Sequence, residues 1–75
     1  MKKGEVNMEY YYVNSNPQLT GEHEVHKSNC ERLPNTRNCI QLGWFYRGSD
    51  ALNEARRYYD NVDGCYYCSP EIHRK

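Results

Sequence analysis

Four cysteines and three histidines stand among 75 residues, and their spacing is the strongest chemical signal in the chain. Cys65 and Cys68 form a CxxC pair directly after Gly64. Two thiolates two residues apart can both face inward from one tight turn, at the separation that a tetrahedral Zn²⁺ accepts between adjacent ligands. An earlier pair, His26 and Cys30 in HxxxC spacing, can supply an imidazole and a further thiolate, which would close a Cys3His site. His73, Cys39 and His23 are the alternatives for the fourth position. The paired spacing of structural zinc sites favours His26, and Cys39 reads as a free thiol near the start of a strand. A redox role for the CxxC pair is disfavoured, because such pairs open a helix within a βαβ unit and here Pro70 follows. Four protein ligands leave no open position for hydrolytic water. The chain also shows no Ser/His/Asp grouping, no glycine-rich phosphate loop and no carboxylate pair in a compelling context. The expectation is therefore a non-enzymatic domain holding one structural zinc.

The elements that must position these ligands are built from an unusual apolar supply. Leu, Ile, Val and Phe together number eleven, against eight Tyr and four Cys. At this length a single core rarely contributes more than about 3–5 kcal/mol, so a staple is needed, whether disulfide, metal or partner subunit, and the four cysteines are the obvious candidates. No apolar run approaches the ~20 residues of a membrane span, and no signal-peptide core follows Met1, Lys2 and Lys3. A cytoplasmic protein is expected, in a reducing compartment that favours metal-bound thiols over disulfides.

Residues 1–9 read as a flexible N-terminal tail and residues 10–75 as a single zinc-binding domain. Tyr10 to Val13 are aromatic and β-branched, and Glu22 to His26 alternate in type; with the turn formers Asn14 to Pro17 and Gly21 between them, they predict a β-hairpin. Cys30 to Asn38 read as a loop. Ile40 to Tyr46 suit a further strand, with Gly43 marking a bulge. Ser49 looks like an N-cap for a helix from Asp50 to Tyr59, whose stripe of Ala51, Leu52, Ala55, Tyr58 and Tyr59 repeats at three and four. Asn61 and Gly64 are plausible stops. The fold class expected is a small zinc-stabilised α+β domain with a β-hairpin, one further short strand and one α-helix. Leu42, Trp44, Phe45, Leu52, Ala55 and Tyr59 are the candidate core, although Trp44 and Phe45, being neighbours, cannot both point inward on a regular strand.

The order HxxxC (His26, Cys30), an aromatic strand ending in Phe45, Ser49 and Ala55 on a short helix, then Gly64 and CxxC (Cys65, Cys68) resembles the metal-binding domain of the Ada DNA-repair protein and its small Ada-like relatives. The resemblance covers residues 22–70. The chain also resembles small uncharacterised bacterial proteins ending in a similar GCYYC stretch. In Ada domains a CxxxC pair and a downstream CxxC pair hold one zinc, with a strand and helix between them. The first cysteine of that CxxxC pair accepts a methyl group from DNA phosphotriesters, and the matching position here is His26. An imidazole cannot take that role, so the resemblance implies a fold and a metal site without methyl transfer.

Charge speaks to partners. Lys and Arg number 10 against 10 Asp and Glu, so the basic excess usual in duplex binders is missing. Zinc with three thiolates and a neutral imidazole would add one further negative charge. A monomer whose partner is another protein is expected. Exposed tyrosine with arginine (Tyr46, Arg47, Arg56, Arg57, Tyr66 and Tyr67) suits protein recognition or stacking on single-stranded bases; nucleic acid is the alternative partner, suggested by the Ada resemblance and by Arg56 and Arg57 near tyrosines.

Overall fold

The computed structural model describes residues 7–75. The aromatic and β-branched run at Tyr10 to Val13 forms strand β1 (Glu9–Asn14), which turns back through the Asn- and Gly-rich segment into β2 (His23–Lys27). Strand β3 (Cys39–Phe45), helix α1 (Gly48–Ala55) and β4 (Val62–Gly64) follow, with 3-10 turns at Thr36–Asn38 and Pro70–Ile72. The strands make one sheet in the order β3-β1-β2-β4. Strand β1 is antiparallel to both β2 and β3, while β4 lies parallel to β2. One helix against a mixed four-stranded sheet is a small α+β domain. Of the expected 1–9 tail, residues 1–6 lie outside the described residues and Glu9 belongs to β1.

Register decides which side chains share a face, because directly opposed residues point the same way. Val13 opposes Val25, and both join Tyr11, Leu42, Ala51, Leu52, Ala55 and Ile72 in the core beneath α1. Tyr12 opposes His26 on the other face. Strand β2 therefore buries two consecutive residues, Val25 and His26, one on each face. A strand half-buried on one side would bury only alternate residues. Both faces of β2 are covered.

The β3 register carries the expected bulge: Tyr11 opposes Gly43 and Tyr12 opposes Gln41, leaving Leu42 as the extra residue. Gly43 has φ +112°, a backbone state that a side chain would strain. The bulge directs Leu42 and Phe45 to the helix side and leaves Trp44 on the other, 61% exposed. Trp44 is thus corrected from core to surface, while Phe45 packs with its ring centroid 6.3 Å from that of Tyr11.

Three further expectations change. The helix ends at Ala55 rather than Tyr59, because the chain must turn to bring Val62 beside His23. The His23 N–H donates to Asn61 O at 2.8 Å, and the His23 ring stacks on Tyr59 at 3.6 Å with 5° between planes. Pairing with β2 outweighs the helical preference of Arg56 to Tyr59, and Tyr58 is left exposed. Ser49 is not the N-cap; Arg47 occupies that position without a side-chain cap bond, and Ser49 lies inside the first turn. A Cβ on Gly48 would sit 2.7 Å from a Glu71 carboxylate oxygen, so an acidic group lies over the positive end of the helix in place of a serine hydroxyl. Gly64, expected as a stop, is a strand residue whose missing side chain admits Ile72. A Cβ there would lie 2.9 Å from the Ile72 carbonyl carbon. Ile72 itself is a core residue that the surrounding polar sequence conceals.

Candidate metal centre

The helix-free face of β2 carries His26, and the two segments that leave the parallel β2/β4 pair close over it. After β2, the Cys30 N–H donates to Lys27 O at 3.1 Å, turning the chain so that Cys30 comes back over the strand end. After β4, the Cys65 N–H continues the ladder to Val25 O at 2.9 Å. The Ser69 N–H then donates to Cys65 O at 2.9 Å, folding Cys65 to Cys68 into a single turn. Parallel strands end side by side, so two short turns of unrelated sequence present their cysteines to one point. Ligand atoms of His26, Cys30, Cys65 and Cys68 all lie within 4.8 Å of one another, a cluster able to hold one metal ion.

The chemistry of the cluster fits a cation. Cys30 Sγ and Cys65 Sγ are 3.8 Å apart. That is nearly twice the ~2.05 Å of a disulfide bond. It equals the edge, about 3.8 Å, of a tetrahedron with Zn–S arms of ~2.3 Å. His26 is 1% exposed, and its Nδ1 is the one buried side-chain nitrogen or oxygen among the described residues without a hydrogen-bond partner. A buried, unpaired nitrogen is costly unless something coordinates it. The other ring nitrogen, Nε2, lies 3.3 Å from Glu24 Oε1. A carboxylate on one imidazole nitrogen fixes the ring and leaves the second nitrogen for a metal.

Backbone donors reach two of the sulphurs. The Lys27 N–H donates to Cys68 Sγ at 3.3 Å and the Arg32 N–H to Cys30 Sγ at 3.4 Å. Without a cation the thiols differ sharply. Burial pushes Cys68 up, but the neighbouring His26 ring, Ser69, the Lys27 N–H and Cys30 together outweigh it and bring the thiol down to about 6. Burial, reinforced by Cys68 and Cys65 against the opposing Arg32 N–H, pushes Cys30 up to about 12. Three sulphurs this close cannot all be anionic without a positive charge between them.

The competing ligands are engaged elsewhere. His23 Nδ1 lies 2.9 Å from Asn14 O and its ring stacks on Tyr59. His73 Nδ1 lies 3.1 Å from Asp63 Oδ2 and 2.9 Å from Gly64 O. Cys39 Sγ donates to Asn35 O at 3.8 Å, and burial raises its thiol. None of the three joins the cluster.

Two contributors escaped the sequence reading. Glu24 reads there only as an alternating strand residue, although its place two before His26 puts both on one face. Asp63, 1% exposed, accepts from Arg74 N–H at 2.7 Å and Lys75 N–H at 3.3 Å, besides facing His73. It ties the end of the chain back to β4 and so closes the segment that carries Cys65 and Cys68.

Tyr66 and Tyr67, between the two cysteines of the turn, are 61% exposed. The Arg32 guanidinium lies over the Tyr67 ring, 3.9 Å from its centroid. Comparison with protein-family models finds no match, and neither curated proteins nor solved structures yield one. No helix among the described residues is long and apolar enough to cross a membrane.

Proposed function

We propose that His26 Nδ1 and the thiolates of Cys30, Cys65 and Cys68 hold one Zn²⁺, that its role is structural, and that the loaded domain is a non-enzymatic module binding another protein. The observation that carries the zinc reading is a buried, unpaired Nδ1 on a histidine that clusters with three sulphurs, two of them one tetrahedral edge apart. A Cys3His set is a standard zinc donor set, and with all four positions filled by protein the metal has no place for a reacting water. His26 in place of a nucleophilic cysteine fits the same reading: an Ada-like scaffold kept for its metal rather than for methyl transfer.

Support for a protein partner is the helix-free face. Tyr10 stands edge-on to Tyr12 and Trp44, with centroids 5.3 and 5.1 Å apart, and Trp44 is largely exposed. Aromatic anchors on a neutral surface suit protein recognition. The stacking of Arg32 on Tyr67 favours the second reading, single-stranded nucleic acid. Arg56 and Arg57 add less to it, being held by Asn53 and Glu54 on their own helix.

Elemental analysis of the purified chain tests the metal: one zinc per chain is expected, retained in Cys39→Ser and lost or much weakened in His26→Ala. The reverse pattern overturns the ligand set. A salt titration of nucleic-acid binding separates the partners, since phosphate contacts impose a steep salt slope and a protein-binding module shows none.

A further inference from the structure

The His26–cysteine cluster is reached from solvent on the side of Cys30 and Cys68. A cleft of about 300 Å³ reaches Cys30 and Cys68 from solvent, lined also by Asn29, Glu31, Arg32 and Tyr67. Cys30 and Cys68 are half-buried along it, whereas Cys65 is 2% exposed behind them. The arrangement separates a reachable sulphur from a hidden one while keeping Cys30 Sγ and Cys65 Sγ 3.8 Å apart. The cleft is large enough to admit a molecule of a few heavy atoms, and its floor is a pair of sulphurs that metal binding would keep as thiolates, the form that peroxides oxidise.

We propose that Cys30 is a peroxide-reactive modification site, with Cys65 as its resolving thiol, so that oxidation through this cleft converts the two into a disulfide and discharges the metal. The inference rests on the zinc reading above for the identity of the ion released. A peroxide oxygen is transferred to the Cys30 sulphur as the O–O bond breaks, giving a sulfenic acid and, for hydrogen peroxide, hydroxide. The Cys65 sulphur then attacks that of Cys30; the S–S bond forms, the S–O bond breaks and a second hydroxide leaves. Both hydroxides take a proton and depart as water. The two thiolates together lose two electrons and the peroxide gains two. Only His26 and Cys68 then remain for the ion, too few for a structural zinc.

The geometry selects Cys30 over the other thiols on stated grounds. Cys65 lacks access. Cys68 shares the cleft and is equally half-buried, but it accepts from Lys27 N–H and contacts Ser69 Oγ at 3.4 Å, whereas Cys30 accepts from Arg32 N–H alone and lies 3.8 Å from Cys65 Sγ. Cys39 lies outside the cluster and has no second thiol to resolve it.

The test uses the full chain loaded with zinc, its content fixed beforehand by elemental analysis. Hydrogen peroxide is added, free zinc is followed with a chromophoric chelator, and the thiols are mapped by mass spectrometry of digested protein. One equivalent of zinc is expected to appear together with a Cys30–Cys65 linked peptide that has lost two hydrogens, with Cys39 still reduced; thiol reductant and added zinc reverse both. Asn29→Trp, a change at an exposed position on the cleft, should slow release several-fold with zinc affinity unchanged. A Cys65–Cys68 disulfide, first oxidation at Cys39, zinc retained after the disulfide has formed, or an unchanged rate in Asn29→Trp overturns the proposal. A chain that carries no zinc at the outset overturns the metal reading separately, and its thiol map still shows whether Cys30 and Cys65 pair.

Discussion

The two faces of the sheet are closed by different physics. Between α1 and the sheet, eight buried side chains from β1, β2, β3, α1 and the turn at Ile72 pack on one another, and each contributes according to the apolar area it removes from water. On the opposite face, closure over β2 depends on His26, Cys65 and Ser69, with Asp63 anchoring the chain end alongside. The helix side is stabilised by many small, separable contributions. The cysteine side depends on a few groups whose charges and unpaired nitrogen are satisfied together or not at all. A domain with eleven aliphatic and phenylalanine residues can cover one face in the first way but not two. The second face is where a bound cation would have the greatest effect on stability.

The largest effect expected from a single substitution falls on the cysteine side. Cys65→Ser removes the most enclosed of the proposed thiolate ligands and should leave the chain without a cooperative thermal transition, since structural zinc contributes about 10–16 kcal/mol, as much as a domain's whole stability. On the helix side, Leu52→Ala should cost about 2–5 kcal/mol by denaturant unfolding of the zinc-loaded chain, while one equivalent of zinc is still bound. Equal damage from the two changes would erase the contrast between the faces. Glu24→Gln probes the link between His26 and its supporting carboxylate: metal affinity, read by chelator competition, should fall by about 10–100-fold with the fold intact.

The smallest effect is a titration of the helix side. Burial, reinforced by Glu71 and Glu9, raises the Tyr11 phenol to about 12 from its ordinary 10.0. The unfolded chain therefore loses this proton first as the pH climbs. The contribution of neutral Tyr11 to stability is complete below pH 10 and is lost as pH rises from 10 towards 12. Tyrosinate absorbance should show one phenol ionising after the others, and Tyr11→Phe should remove that late step.

Legibility in the sequence follows the same division. The hairpin, the bulge at Gly43 and the helix stripe Ala51, Leu52 and Ala55 are periodic or conformational signals, and they read correctly. The proximity of His26, Cys30, Cys65 and Cys68 was legible too, because HxxxC and CxxC spacings reflect turns that are themselves local. What the sequence hid is set by distant pairing. Strand β4 has three residues, too few to show alternation, and exists because β2 offers it an edge. Ile72 stands alone among polar residues and is core only because Gly64 makes room. Trp44 and Phe45 could be ordered only once the bulge had reset the alternation of β3. The roles of Glu24 and Asp63 depend on partners that no spacing rule connects to them.

The central claim is that a metal held by His26, Cys30, Cys65 and Cys68 keeps the helix-free face closed. Amide hydrogen exchange by NMR, on the zinc-loaded chain and after stripping with elemental confirmation, tests it most directly. Stripping should abolish protection first at Lys27, Arg32, Cys65 and Ser69, whose N–H groups build the cluster, and the rest of the sheet should then follow. A stripped chain with the spectrum and protection of the loaded one would contradict it.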